Sequence, residues 1–112
     1  MASGIGDLSF GYVRARLRVV AVADGGPPGG VESGSRPSWG IGQRLSGDGL
    51  LGRAAVTVED SGRIAPGGSG VVRLRPDDWT AWAEVRPRDT FPMLEGPRIV
   101  GVAEVIDIVR PG

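Results

Sequence analysis

The side chains able to do chemistry in this chain are few in kind. Histidine and cysteine are absent and every one of the thirteen cations is arginine. That removes the commonest general base, the thiolate nucleophile and the amine of a Schiff base. Arg14, Arg16 and Arg18 stand at alternate positions, so on a strand they share one face. Such a comb is able to grip phosphates. More often it is a solvated face paired with carboxylates across a sheet, and that reading is favoured here. Asp77 and Asp78 invite an acid–base pairing, but adjacent carboxylates in a turn are usually solvated. Glu104 and Asp107 lie three apart, on opposite faces of a regular strand. One of them must therefore be paired, at a rim, or beside a bulge. Trp79 and Trp82, also three apart, are read as barrel-end packing, with an exposed stacking platform as the alternative.

Composition narrows the function classes further. With 112 residues the chain makes one domain, large enough to bury a core without staples. An enzyme would have to work with Asp, Glu, Arg, Ser, Thr or Tyr alone, so a non-enzymatic binding domain is expected. No thiolate or imidazole is available to a metal, and neither metal nor cofactor is expected. The glycine-rich stretch 24–35 (DGGPPGGVESGS) lacks the spacing and the lysine of a P-loop, so no nucleotide is expected. Formal net charge is zero, which makes any nucleic-acid surface a local patch. The all-arginine usage is read as codon bias in a GC-rich genome in preference to an RNA-binding signature. No apolar run approaches the ~18 residues of a membrane helix. The opening MASGIGDLSFG lacks the basic and apolar regions of a signal peptide. The expected compartment is the cytoplasm, with no membrane association.

The elements that must position these residues are strands punctuated by glycine and proline. Residues 1–11 read as a loose lead-in and 12–110 as the domain. From Tyr12, Val13, Ala15, Leu17 and Val19 alternate with the arginines, and the run stops at Asp24-Gly25-Gly26. Arg36 to Ile41 predicts a short strand, on an edge of the sheet, and Gly47-Asp48-Gly49 a turn. Leu51–Glu59 predicts a strand with Ala54, Val56 and Val58 on one face. Ile64–Gly70 reads as a turn leading into a strand at Val71–Arg75, and Pro76-Asp77-Asp78 as the cap of one helical turn. Phe91–Leu94, a turn at Glu95–Arg98, and a strand from Ile99 to about Val109 form a closing hairpin. The density of Ile99–Ala103 predicts burial on both faces, with Phe91, Val100 and Val102 in the core. Six or seven strands without an amphipathic helix predict an all-β fold, a small closed antiparallel β-barrel of Greek-key type.

Across residues 12–109 the order of motifs resembles the C-terminal, third barrel of the elongation factor Tu family of translation factors. Leu17–Val22 leads to Gly25-Gly26, then to Gly34-Ser35-Arg36-Pro37 with an aromatic, Trp39, two residues on. Pro66-Gly67 precedes a middle strand, and Leu74-Arg75-Pro76 loosely matches a Leu-x-x-Pro. Phe91, Glu95-Gly96, Arg98 and Val100-Gly101 complete the series. In that family the Glu-Gly turn touches the T-stem backbone of aminoacyl-tRNA. The resemblance therefore implies contact with tRNA or other structured RNA through Glu95, Gly96, Arg98 and Arg36. The sequence departs from the family where Pro97 replaces a second glycine. It departs again where Pro27-Pro28-Gly29-Gly30 and Glu32 replace a polar, aromatic loop that helps dock the GTPase domain. GTP hydrolysis is not carried over by these residues. The alternative is a protein-interaction barrel imitating or binding translation-factor partners, with Trp39, Trp79 or Trp82 as anchors.

Overall fold

Alternation of branched apolar and charged residues produces strands with one wet and one dry face, and closing them into a cylinder leaves no raw edge. The computed structural model, which describes residues 10–43 and 49–111, has this form. Its strands are β1 (Tyr12–Val19), β2 (Val31–Glu32), β3 (Ser38–Gln43), β4 (Gly49–Val58), β5 (Arg63–Ile64), β6 (Ser69–Pro76), β7 (Thr90–Glu95) and β8 (Arg98–Val109). Six of them close an antiparallel barrel in the order β1-β6-β4-β3-β7-β8, and β2 pairs with β5 in a separate two-stranded ribbon. Val22–Asp24 forms a single 3₁₀ turn ended by Gly25 at φ 93°. No helix among the described residues is long and apolar enough to cross a membrane. The lead-in at residues 1–9 and the turn at Gly47-Asp48 lie outside the described residues.

The expected inner faces of β1 and β4 hold. Val13, Ala15, Leu17 and Val19 of β1 and Ala54, Val56 and Val58 of β4 point into the barrel, and Val72 and Leu74 of β6 join them there. Inside, the ring centroid of Phe91 lies 5.9 Å from that of Trp39 and 5.6 Å from that of Trp82, with ring planes near perpendicular. This is the geometry in which the positive edge of one ring meets the negative face of the next. Among the described residues no charged or polar side chain is fully buried. The interior is thus apolar apart from two indole N–H groups. That of Trp39 lies 3.4 Å from the Ala54 carbonyl, and that of Trp82 has no partner.

Four expectations need correction. Val102 is 45% exposed and Ile99 53%, so the last strand is not buried on both faces. Among the described residues the outer side chains Ile99, Val102 and Ile106 of β8 are uncovered, so this strand alternates like its neighbours. Its double burial is confined to Val100 and Gly101, where a bulge opposite Met93 turns two successive residues inward. Second, β3 is no edge strand, because it is paired with β4 on one side and β7 on the other. Its ladder with β7 stops at Met93, one residue short of Pro92, which has no N–H to give. Third, β2 and β5 fall in stretches expected to be irregular or turn. Each is two residues long, too short to show a period. Fourth, Phe10 and Gly11 at the end of the lead-in are anchored. The Trp79 indole N–H donates to the Phe10 carbonyl at 2.9 Å.

A second bulge settles the carboxylates of β8. Arg14 stands opposite Asp107 and Ala15 opposite Val105, which leaves Ile106 unpaired. Ile106 and Asp107 both turn outward, so Glu104 and Asp107 emerge on the same surface. The bulge was one of the three arrangements their spacing required.

Candidate functional site

The outer wall formed by β1 and β6 carries the densest charge. Arg14, Arg16 and Arg18 project from β1, and Arg73 and Arg75 from β6. Arg14 stands directly opposite Arg73. Like charges at that spacing repel, and Glu59, just past the end of β4, relieves them. Arg14 donates to its carboxylate through Nε at 2.7 Å and Nη2 at 3.1 Å, and Arg73 donates through Nε at 3.1 Å. These hydrogen bonds, that from Arg14 first, hold the Glu59 carboxyl below its ordinary value of 4.5. The same bond raises the Arg14 guanidinium above its ordinary value. Asp107 adds a longer contact to Arg14 at 3.9 Å.

The rest of the comb is left open. Arg16 stands opposite Glu104 and Arg18 opposite Val102. Among the described residues, no carboxylate lies within 4 Å of Arg16, Arg18 or Arg75. Arg16 and Arg18 border a shallow groove of about 320 Å³ with Ser69, Thr90, Val102 and Glu104. Five arginines face three carboxylates here, Glu59, Glu104 and Asp107, so the wall is net positive on a molecule whose formal charge is zero. The favoured reading of the comb, pairing with carboxylates across the sheet, holds by contact for Arg14 and by register alone for Arg16, which faces Glu104, while Arg18 faces Val102.

The residues singled out by the family resemblance separate into two places. Glu95 and Arg98 are register partners across a two-residue turn, with Gly96 at φ 57°. Proline fixes the φ of Pro97 negative, so only the first turn position takes the left-handed region, where glycine is needed. Arg36 and Glu95 line one groove of about 330 Å³ with Pro37 and Val100. Arg36 itself is committed to a salt bridge with Asp77. The turn and the wall share one end of the barrel, since Arg98 begins the strand whose Val102 faces Arg18.

The tryptophans divide as well. Trp39 and Trp82 are 0% exposed and offer no surface to a partner. Only Trp79 is partly accessible. The neighbouring carboxylates also part company, because Asp77 pairs with Arg36 while Asp78 accepts the Thr80 backbone N–H at 2.9 Å. By that bond Asp78 caps the segment as expected, and residues 78–85 continue as successive turns, not a regular helix, with bonds from Ala81 to Asp78, Trp82 to Trp79 and Ala83 to Thr80.

Sequence reasoning missed Arg73 and Arg75 as the second row of the comb. Their signal was present in the alternation Val71-Val72-Arg73-Leu74-Arg75, but only the pairing of β6 with β1 sets the two rows side by side. No family model matches this sequence, and none of the curated proteins matches it.

Proposed function

We propose that this domain is a non-enzymatic binding module that docks structured RNA, tRNA among the candidates, through its sugar–phosphate backbone. The observation that carries the reading is the β1–β6 wall. There Arg16 and Arg18 stand with no carboxylate within 4 Å, Glu104 being the cross-strand neighbour of Arg16, beside Arg14 and Arg73, which Glu59 holds in place. Guanidinium groups fixed by their own hydrogen bonds lose little freedom on meeting a phosphate. The shared motif order with the third barrel of the elongation factor Tu family supports the same reading. It adds Glu95, Gly96 and Arg98 as a second contact at the same end of the barrel. Arg36, neutralised by Asp77, contributes less than the resemblance implies. A protein-interaction barrel built on exposed tryptophans would have to rely on Trp79, since Trp39 and Trp82 are internal.

Binding of this kind is weak and salt-sensitive, with log affinity falling by about 0.7–0.9 per phosphate neutralised against log salt. Filter binding with bulk tRNA at low salt tests it. Arg16→Gln with Arg18→Gln is expected to flatten the salt slope by about one to two and to leave the urea midpoint nearly unchanged. Absence of retention of the unsubstituted protein at low salt would refute RNA docking and leave the protein-interaction reading in its place.

A further inference from the structure

Next to the arginine wall lies a cleft of about 590 Å³, bordered by Phe10, Trp79, Arg75 and the Arg36–Asp77 pair. That volume falls within the ~300–1,000 Å³ of small-ligand pockets. Its aromatic walls are built in place. The Trp79 indole N–H donates to the Phe10 carbonyl at 2.9 Å, locking the two residues together. Gly11, at φ 72°, permits the approach, because a Cβ there would lie 2.9 Å from the Trp79 ring. Arg75 lies over the Phe10 ring at 4.0 Å and Arg110 over Trp79 at 5.7 Å. Arg110 also donates to the Ala83 and Val85 carbonyls, which pins the turn carrying Trp79. Phe10 is still 52% exposed.

We infer that this cleft is a stacking subsite for an unpaired nucleobase, so that the RNA recognised is a helix carrying a single-stranded extension. The inference rests on the proposed function and specifies its ligand. Aromatic rings and guanidinium groups gathered in one cleft are what splayed bases stack on, whatever their identity. Arg75 and the Arg36–Asp77 pair set hydrogen-bonding groups beside the apolar lining, which an apolar peptide side chain would leave unused and a base edge can meet. The cleft is also continuous with the wall. Arg75 borders both it and the adjoining hollow that contains Tyr12 and Arg73, where Arg73 lies over the Tyr12 ring at 4.8 Å. A backbone docked on Arg16, Arg18 and Arg73 is thereby led towards Phe10 and Trp79.

The experiment compares a blunt RNA hairpin with the same hairpin bearing a short single-stranded tail, by filter binding and by tryptophan fluorescence. Trp39 and Trp82 are 0% exposed, so contact quenching by a base reports on Trp79. The tailed hairpin is expected to bind about five- to a hundredfold tighter. Its quenching should vanish in Trp79→Phe, which keeps a stacking ring. In Phe10→Ala, a change at a largely exposed position, the ratio of tailed to blunt affinity should fall towards one. Equal affinity for the two hairpins overturns the subsite while leaving backbone docking intact. A tail preference unchanged in Phe10→Ala, or quenching unchanged in Trp79→Phe, also overturns it and leaves the cleft to a protein contact. Failure to bind either hairpin at low salt removes the proposed function and this inference together.

Discussion

Phe91→Ala tests whether the barrel is held by its central aromatic cluster. Phe91 is 3% exposed and meets both buried tryptophans edge-on, at 5.9 and 5.6 Å. Truncation removes the ring's transfer free energy, both aromatic contacts and the support beneath two indoles. Substitutions of this kind cost about 3–5 kcal/mol. The upper half of that range is expected, because each edge contact adds about 0.5–1.5 kcal/mol beyond area. Strands on opposite sides of the cluster cannot move inward without breaking their ladders. For 112 residues, total stability is about 6–17 kcal/mol at ordinary values per residue. The variant should therefore remain folded at best marginally. With a urea m-value of about 1–3 kcal/mol/M, a loss of about 4–5 kcal/mol should lower the midpoint by about 1.3–5 M. Urea titration followed by tryptophan fluorescence measures this directly, since Trp39 and Trp82 change environment on unfolding. Phe91→Leu, which keeps most of the volume, should lose clearly less. A Phe91→Ala midpoint within about 0.5 M of the unsubstituted protein, at the same m-value, would refute the register that places Phe91 opposite Ala103 and inside.

Gly52→Ala should destabilise by about 1–3 kcal/mol through overpacking. A Cβ there would sit 2.5 Å from both the Trp82 Nε1 and the Ile41 Cδ1, and an unmoved urea midpoint would contradict that packing. Glu59→Gln bears on pH. Because the Glu59 carboxyl is depressed in the folded state, its contribution is complete above the ordinary value of 4.5 and is lost as pH falls through the lower, folded value. Arg14, raised above the ordinary guanidinium value, is protonated in both states at neutral pH and adds no slope there. Midpoints measured from neutral pH down to strongly acid should therefore converge, the unsubstituted protein losing more below pH 4.5 than Glu59→Gln. Parallel curves would show that the Arg14–Glu59–Arg73 bridge does not couple to folding.

Local periodicity is legible along the chain. The alternation through β1, β4 and β6 sets which side chains face inward, because a strand's side chains point to opposite faces in turn. The Gly-Pro turn at 96–97 marks the closing hairpin, and the incompatible spacing of Glu104 and Asp107 pointed to an irregularity that a bulge at Ile106 supplies. Tertiary structure decided whatever depends on what lies beside or over a strand. Val100 and Val102 look alike in sequence, yet a bulge sends Val100 inside while the uncovered outer wall leaves Val102 wet. The two-residue strands β2 and β5 exist only because they find each other. The candidate site is mostly of this second kind. Arg14 and Arg73 are 59 positions apart, and Glu59 holds both only because β4, β6 and β1 are neighbours in a closed sheet. Phe10 and Trp79 meet across 69 positions through one hydrogen bond that a glycine makes room for. Spacing along a chain reports which residues share a face of one strand. Which strands stand side by side is set by barrel closure, through pairings of high sequence separation that no local pattern records.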